Sequence, residues 1–306
     1  MKNTSIKRLL MTVAVMSGVL LSTASWSATA TFTGTYKGAS TLGGICGTTY
    51  NISGVEPTTG THPVFVYMVG TGETYNDNFA MAAVNGMAAK GYVAATIDYA
   101  VSQFGSCSAI KGKTSCAFNP GSSTSAIKQL CSRATADCSK GIVVAGMSQG
   151  SVIATLAKNY DSRVQAAYGM GLSDHYTTVY DLSSCVGNGN RTLTSDRLRA
   201  VDGEQDTFAG SFSGLVTGTH SVTQASLKKV TGLTCAAGAT SCMNSNGSGW
   251  IIVKNNQVTD GAADHCYPVN GGCLGGGATL DSGWASGTAN WALGTNLQWL
   301  TNFTTP

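Results

Sequence analysis

Apolar positions along this chain fall into two rhythms. Short runs such as Val64-Phe65-Val66-Tyr67-Met68-Val69, Tyr92 to Ile97, Ile142-Val143-Val144-Ala145, Val164 to Tyr168, Arg197 to Val201 and Trp250 to Val253 read as strands of a largely buried sheet. Thr31 to Lys37 and Thr48 to Ser53 alternate instead, as strands at a sheet edge do. Helix-like stretches lie between the runs: Asn78 to Lys90, stopped by Gly91, then about Ser122 to Thr135, Ser151 to Tyr160, one between Val201 and Trp250, and a last one near Asn290 to Phe303. Tyr99 to about Gly121 reads as a long cysteine-containing loop. Strands separated by helices predict right-handed crossovers and an α/β fold, a mostly parallel sheet with helices on both faces. With no internal repeat and no linker, residues 31–306 read as a single domain.

The N-terminus changes the picture of where the chain works. Lys2, Lys7 and Arg8 precede the apolar stretch Leu9 to Leu21, and small residues follow, ending in Ala28-Thr29-Ala30. This is the pattern of a secretory signal peptide over residues 1–30, cut after Ala30 or alternatively after Ser27 or Ala28. The apolar stretch is too short to span a bilayer comfortably, so no membrane anchor is expected. Its removal takes the formal charge from +3 to zero, which implies neither nucleic acid nor an acidic surface as partner. A secreted or periplasmic protein follows. About 276 residues remain, enough for one large core.

All ten cysteines lie beyond the leader. In an exported chain they read as disulfides, and no Cys-x-x-Cys pair or zinc-type spacing argues for a metal. Proximity along the chain predicts Cys107–Cys116, Cys131–Cys138, Cys235–Cys242 and Cys266–Cys273, leaving Cys46 for Cys185. Gly271 to Gly277 is glycine-rich but does not lead from a strand into a helix, so it is a loop and not a dinucleotide site. No cofactor is expected.

Gly146-Met147-Ser148-Gln149-Gly150 follows one strand run directly and precedes a helix-like stretch. A serine on so sharp a turn leaves no room for side chains two residues to either side, which the two glycines provide. The turn would present the Ser148 hydroxyl as a nucleophile and aim the Gln149 backbone N–H at an oxyanion. A base is then needed, and the imidazoles are His62, His175, His220 and His265. His265 lies in a polar loop after the last strand, on the edge where the elbow opens. His62 precedes a strand and falls on the opposite edge, while His175 and His220 are loop residues with weaker placement. For the carboxylate behind the base, Asp206 follows the turn at Gly203, with Asp202 and Asp174 as rivals.

The order Ser148, Asp206, His265, with the elbow, the Gly203-Glu204-Gln205-Asp206 turn and the histidine after the final strand, resembles the α/β-hydrolases. The resemblance spans nearly the whole mature chain. It implies an eight-stranded, mostly parallel sheet and hydrolysis through an acyl-serine. The loop Val69-Gly70-Thr71-Gly72-Glu73 lacks the family's common His-Gly pair. Its Gly-Thr-Gly is similar to the loop of Candida-type lipase B, where the threonine donates to the oxyanion, so Thr71 and Gln149 are the donors the resemblance implies. Gln after the serine is shared with that lipase and with cutinases.

The substrate class implied is carboxylic esters, small-molecule or polymeric. Tyr75, Trp284 and Trp291 are candidates to border an open cleft, although such aromatics more often pack in a core or loop. A peptidase of this fold and a non-catalytic binding protein remain as alternatives. Resemblance to cutinases also implies that a Cys266–Cys273 bridge pins the loop of His265. Reduction of that bridge is expected to lower activity before the chain unfolds globally, and full activity after confirmed reduction would refute the pinning.

Overall fold

Apolar run length decides the middle of the molecule: Val64 to Val69 are all buried, so this segment has to lie inside a sheet covered on both faces. In the computed structural model, which describes residues 28–40, 44–176, 179–209, 218–272 and 279–305, it does. Most of the leader, residues 1–27, lies outside the described residues.

The strands are β1 (Thr29–Ala39), β2 (Cys46–Pro57), β3 (Val64–Met68), β4 (Val93–Ile97), β5 (Ile142–Met147), β6 (Val164–Met170), β7 (His175–Tyr176), β8 (Tyr180–Asp181), β9 (Leu198–Gly203), β10 (Ser241–Met243) and β11 (Gly249–Val253). The helices are α1 (Asn78–Ala88), α2 (Cys107–Phe118), α3 (Ala126–Cys131), α4 (Gln149–Leu156), α5 (Ser183–Val186), α6 (His220–Thr231), α7 (Ser282–Ala285) and α8 (Leu293–Leu300). Nine strands form one sheet in the order β1-β2-β4-β3-β5-β6-β9-β11-β10, and β7 and β8 form a small hairpin. From β4 to β11 neighbours run parallel, whereas β1 pairs antiparallel with β2, β2 with β4, and β10 with β11. This order, with its antiparallel second strand, is the α/β-hydrolase arrangement.

The sheet departs from the expected eight strands by one, because β10 adds an antiparallel edge. Ser241-Cys242-Met243 is too short and too polar to read as a strand, and its neighbour β11 supplies the pairing: Ser241 faces Ile251. Cys242, bridged to Cys235, holds the segment in place.

The second departure is larger. The expected loop from Tyr99 to Gly121 contains α2, which lacks a strong apolar stripe and so escapes a reading by periodicity. That helix overturns two of the expected disulfides. Cys107 and Cys116 stand nine residues apart on one helix, about 13 Å along its axis, beyond the span a disulfide bridges. Cys116 instead joins Cys46, and Cys107 joins Cys185, with Cα–Cα separations of 5.5 Å and 5.9 Å. Cys131–Cys138 and Cys235–Cys242 are paired as expected. Cys266 is disulfide-bonded, and its expected partner Cys273 lies outside the described residues.

Helix ends follow local chemistry. The Asp77 side chain accepts from the Ala80 N–H to start α1, and Ser125 accepts from the Lys128 N–H to start α3 at Ala126, four residues later than expected. Trp284 and Trp291 are buried in the core with Trp250, so neither borders a cleft. Burial at this level contributes roughly 1.5–3 kcal/mol for each large apolar side chain.

Non-reducing peptide mapping is expected to recover Cys46–Cys116 and Cys107–Cys185, and a Cys107–Cys116 peptide would contradict the helix. Replacing both Cys107 and Cys185 with serine opens a loop of 78 residues. The chain-entropy relation then puts the loss near 4.5 kcal/mol, measured by denaturant unfolding.

Candidate active site

The elbow is built by backbone constraint. Ser148 sits at φ 52° and ψ −121°, and it is the one non-glycine residue with positive φ among the described residues. Such a conformation costs on the order of 1–3 kcal/mol and persists where the surroundings enforce it. They do so by close approach on both sides. A Cβ on Gly146 would stand 2.4 Å from the Gly150 carbonyl carbon, and one on Gly150 would stand 2.1 Å from the Met68 carbonyl oxygen. The turn thus brings the start of α4 against the end of β3. The Gln149 N–H, on the first residue of α4, has no acceptor within its own helix.

The other two members of the set hang from the ends of β9 and β11. The backbone zips their loops together: the Glu204 N–H donates to the Val253 carbonyl at 2.8 Å and the Gln205 N–H to the Ala263 carbonyl at 2.9 Å. A Cβ on Gly203 would meet the Ala263 oxygen at 2.2 Å, so this strand end closes only with glycine. His265 Nδ1 and Asp206 Oδ2 stand 2.7 Å apart, and both residues are buried. Asp206 Oδ1 accepts from the Phe208 and Ala209 N–H groups, each at 2.8 Å, which fixes the carboxylate. Nδ1 faces the carboxylate, whereas Nε2 is buried and has no hydrogen-bond partner among the described residues. His265 and Ser148 line one cavity.

The rivals are accounted for. Asp174 pairs with His175 at 2.8 Å and with Lys229 at 3.3 Å, apart from Asp206 and His265. Asp202 accepts from the Leu172 N–H through Oδ1. Burial, then the nearby Asp206 charge, raise its pKa well above the carboxylate range. His62 contacts the Thr59 carbonyl and His220 the Ala239 carbonyl.

Thr71 follows β3 and reaches the elbow through a side-chain contact. Gln149 Nε2 donates to Thr71 Oγ1 at 2.9 Å and to the Gln103 carbonyl at 3.2 Å, while Gln149 Oε1 accepts from Lys113 Nζ at 2.8 Å. Ser148, His265, Thr71, Glu73 and Cys266 open together on a cavity of about 500 Å3. Its walls are Phe104, Tyr176, Tyr180 and Phe208. Phe104 lies 4.5 Å from the Tyr176 ring and 5.2 Å from the Tyr180 ring, and Phe208 packs 4.9 Å from the imidazole. The expected cleft aromatics are thus replaced by four others; Tyr75 is half-buried and not among the residues lining this cavity.

No protein-family profile matches the sequence, and no curated protein matches it. Solved structures with related shape include a hypothetical protein, PA2218, from Pseudomonas aeruginosa, at 19% identity and TM-score 0.36, covering 55% of this chain and 49% of that one. Esterase Est22 matches at 13% identity and TM-score 0.39, covering 57% and 64%. An esterase from Rhizomucor miehei matches at 13% identity and TM-score 0.39, covering 59% and 67%. The chain spans about half to two thirds of the length of these neighbours.

Two charged groups that sequence reading did not single out shape the site. Glu73 is half-buried and its Oε2 accepts from the Gly70 N–H at 2.6 Å, closing the turn that carries Thr71. Burial pushes its carboxyl up to about 7, against the opposing pull of the Gly70 hydrogen bond. Lys113 is buried on α2, and burial pushes its pKa down to about 8. For His265, burial works against the imidazolium. The charge and hydrogen bond of Asp206, with smaller help from Glu73 and Asp264, outweigh it and raise the pKa above 6.5.

A base acts only when neutral, so the acid limb of kcat/KM against pH is expected above the ordinary histidine value. Glu73→Gln removes a negative charge that favours the imidazolium, and the limb should move to lower pH. A limb that stays in place or moves up would show that Glu73 does not act on His265.

Proposed function

We propose that this chain is an exported serine hydrolase that cleaves carboxylic esters through an acyl-serine intermediate. The observation that carries the reading is the His265–Asp206 pair at 2.7 Å, with His265 lining the same cavity as the strained Ser148. His265 takes the Ser148 proton as the oxygen attacks the ester carbonyl, and Asp206 stabilises the imidazolium. The Gln149 N–H and Thr71 hold the oxyanion, and His265 then protonates the leaving alcohol. Water repeats the sequence on the acyl-enzyme.

Aromatic walls and a volume of about 500 Å3 favour an apolar acyl or aryl group of moderate size, free or at the end of a polymer chain. Export is supported by the charged and apolar N-terminal pattern and by the disulfides. No described helix is long and apolar enough to cross a membrane. Thr29 already pairs with Pro57 in the sheet, so a cut after Ser27 keeps the whole first strand.

A fluorophosphonate probe should label the wild type and not Ser148→Ala, and Ser148→Ala should lower kcat on p-nitrophenyl esters by ~10⁶-fold. Asp206→Asn should cost ~10⁴-fold. Faster turnover of peptide anilides than of esters would replace the esterase by a peptidase. Equal labelling of both proteins would leave a fold without this chemistry.

A further inference from the structure

Lys113 is 3% exposed, and no carboxylate pairs with it among the described residues. An ammonium buried without a counter-ion is costly unless all its protons find acceptors. Here they do. Nζ donates to the Ala100 carbonyl at 2.8 Å, the Gln103 carbonyl at 2.5 Å and Gln149 Oε1 at 2.8 Å, with the Phe104 carbonyl at 3.4 Å. The Tyr99 ring lies 5.9 Å from it.

Hydrogen-bond polarity then propagates in one direction. An ammonium has no acceptor, so it admits only the oxygen end of the Gln149 amide. The amide nitrogen must therefore face Gln103 and Thr71, and the Gln103 carbonyl, which can only accept, enforces the same orientation. Thr71 Oγ1 accepts a hydrogen bond from the Gln149 amide, and its own single proton is left for another acceptor. We infer that Lys113 is a positioning residue of the oxyanion hole: its ammonium orients the Gln149 side-chain amide, and the amide leaves the Thr71 hydroxyl free to donate to the ester oxygen. The inference rests on the ester-hydrolase reading above. The same ammonium ties down residues 100–104, whose Phe104 ring forms a wall of the cavity. Its lowered pKa accords with a charge held where solvent does not reach.

The test is a double-mutant cycle on kcat for a p-nitrophenyl ester. Lys113→Met should lower kcat by roughly ten- to a hundredfold with KM little changed, less than the hundred- to thousandfold typical of losing a donor outright. In a Thr71→Val background, which lacks the hydroxyl being oriented, Lys113→Met should cost less than about threefold. An equal loss in both backgrounds overturns the inference, because a purely structural lysine costs the same in each. Gln149→Glu guards against misfolding. It keeps the shape and gains an ion pair with Lys113, but offers Thr71 only acceptors and so draws its proton away from the substrate. The ion pair offsets the lost bond to the Gln103 carbonyl, so the variant should still unfold in one cooperative transition while its kcat falls at least about tenfold, and an unchanged kcat overturns the inference. NMR of the Gln149 side-chain amide gives a readout independent of turnover. A wild type inactive on the ester removes the functional reading, and the amide signals then decide the relay alone: displaced by Lys113→Met they uphold it, unmoved they refute it.

Discussion

Parallel strands end together, and that one constraint organises this molecule. From β4 to β11 six neighbouring strands run the same way, so their carboxyl ends share one edge of the sheet. Thr71 follows β3, Ser148 follows β5, Asp206 follows β9 and His265 lies in the loop after β11. Residues nearly two hundred positions apart meet because the sheet leaves them nowhere else to go. The backbone bonds between the loops after β9 and β11 then bring Asp206 and His265 to within a hydrogen bond.

Local surroundings assign the carboxylates different parts. Asp202 and Asp206 lie four residues apart and both are fully buried. Asp206 accepts from two backbone amides and faces an imidazole, whereas Asp202 has one amide and an Oδ2 with no hydrogen-bond partner among the described residues. Strand geometry separates them: Asp202 still lies within β9, while the chain turns after Gly203 and carries Asp206 into the loop. The same principle applies to the cation. Lys113 is tolerated inside because backbone carbonyls of residues 100–104 and one side-chain amide converge on it.

The parts legible in the sequence were those whose cause is local or topological. Two glycines flanking Ser148 announce a tight turn by themselves, and strand alternation predicts which loops share an edge, which singles out His265 from four imidazoles. Features set by distant contacts did not show. Helix α2 has little apolar periodicity and is bridged to Cys46 and Cys185, so proximity along the chain misassigns Cys107–Cys116 and Cys46–Cys185, whereas Cys131–Cys138 and Cys235–Cys242 pair as expected. Trp284 and Trp291 stand in a polar, glycine-rich segment that offers no periodicity to place them, and burial in the core decides between packing and a cleft. Lys113 lay hidden inside the segment read as a loop, since nothing in a single lysine marks the four acceptors gathered around it.

Helix α2 is tethered near both ends, to β2's first residue through Cys116 and to α5 through Cys107, with Lys113 between the two anchors. Both tethers form by thiol oxidation, and neither joins one strand of the sheet to another. In a reducing compartment the helix that carries the buried ammonium would lose both anchors while the sheet kept all its ladder pairings.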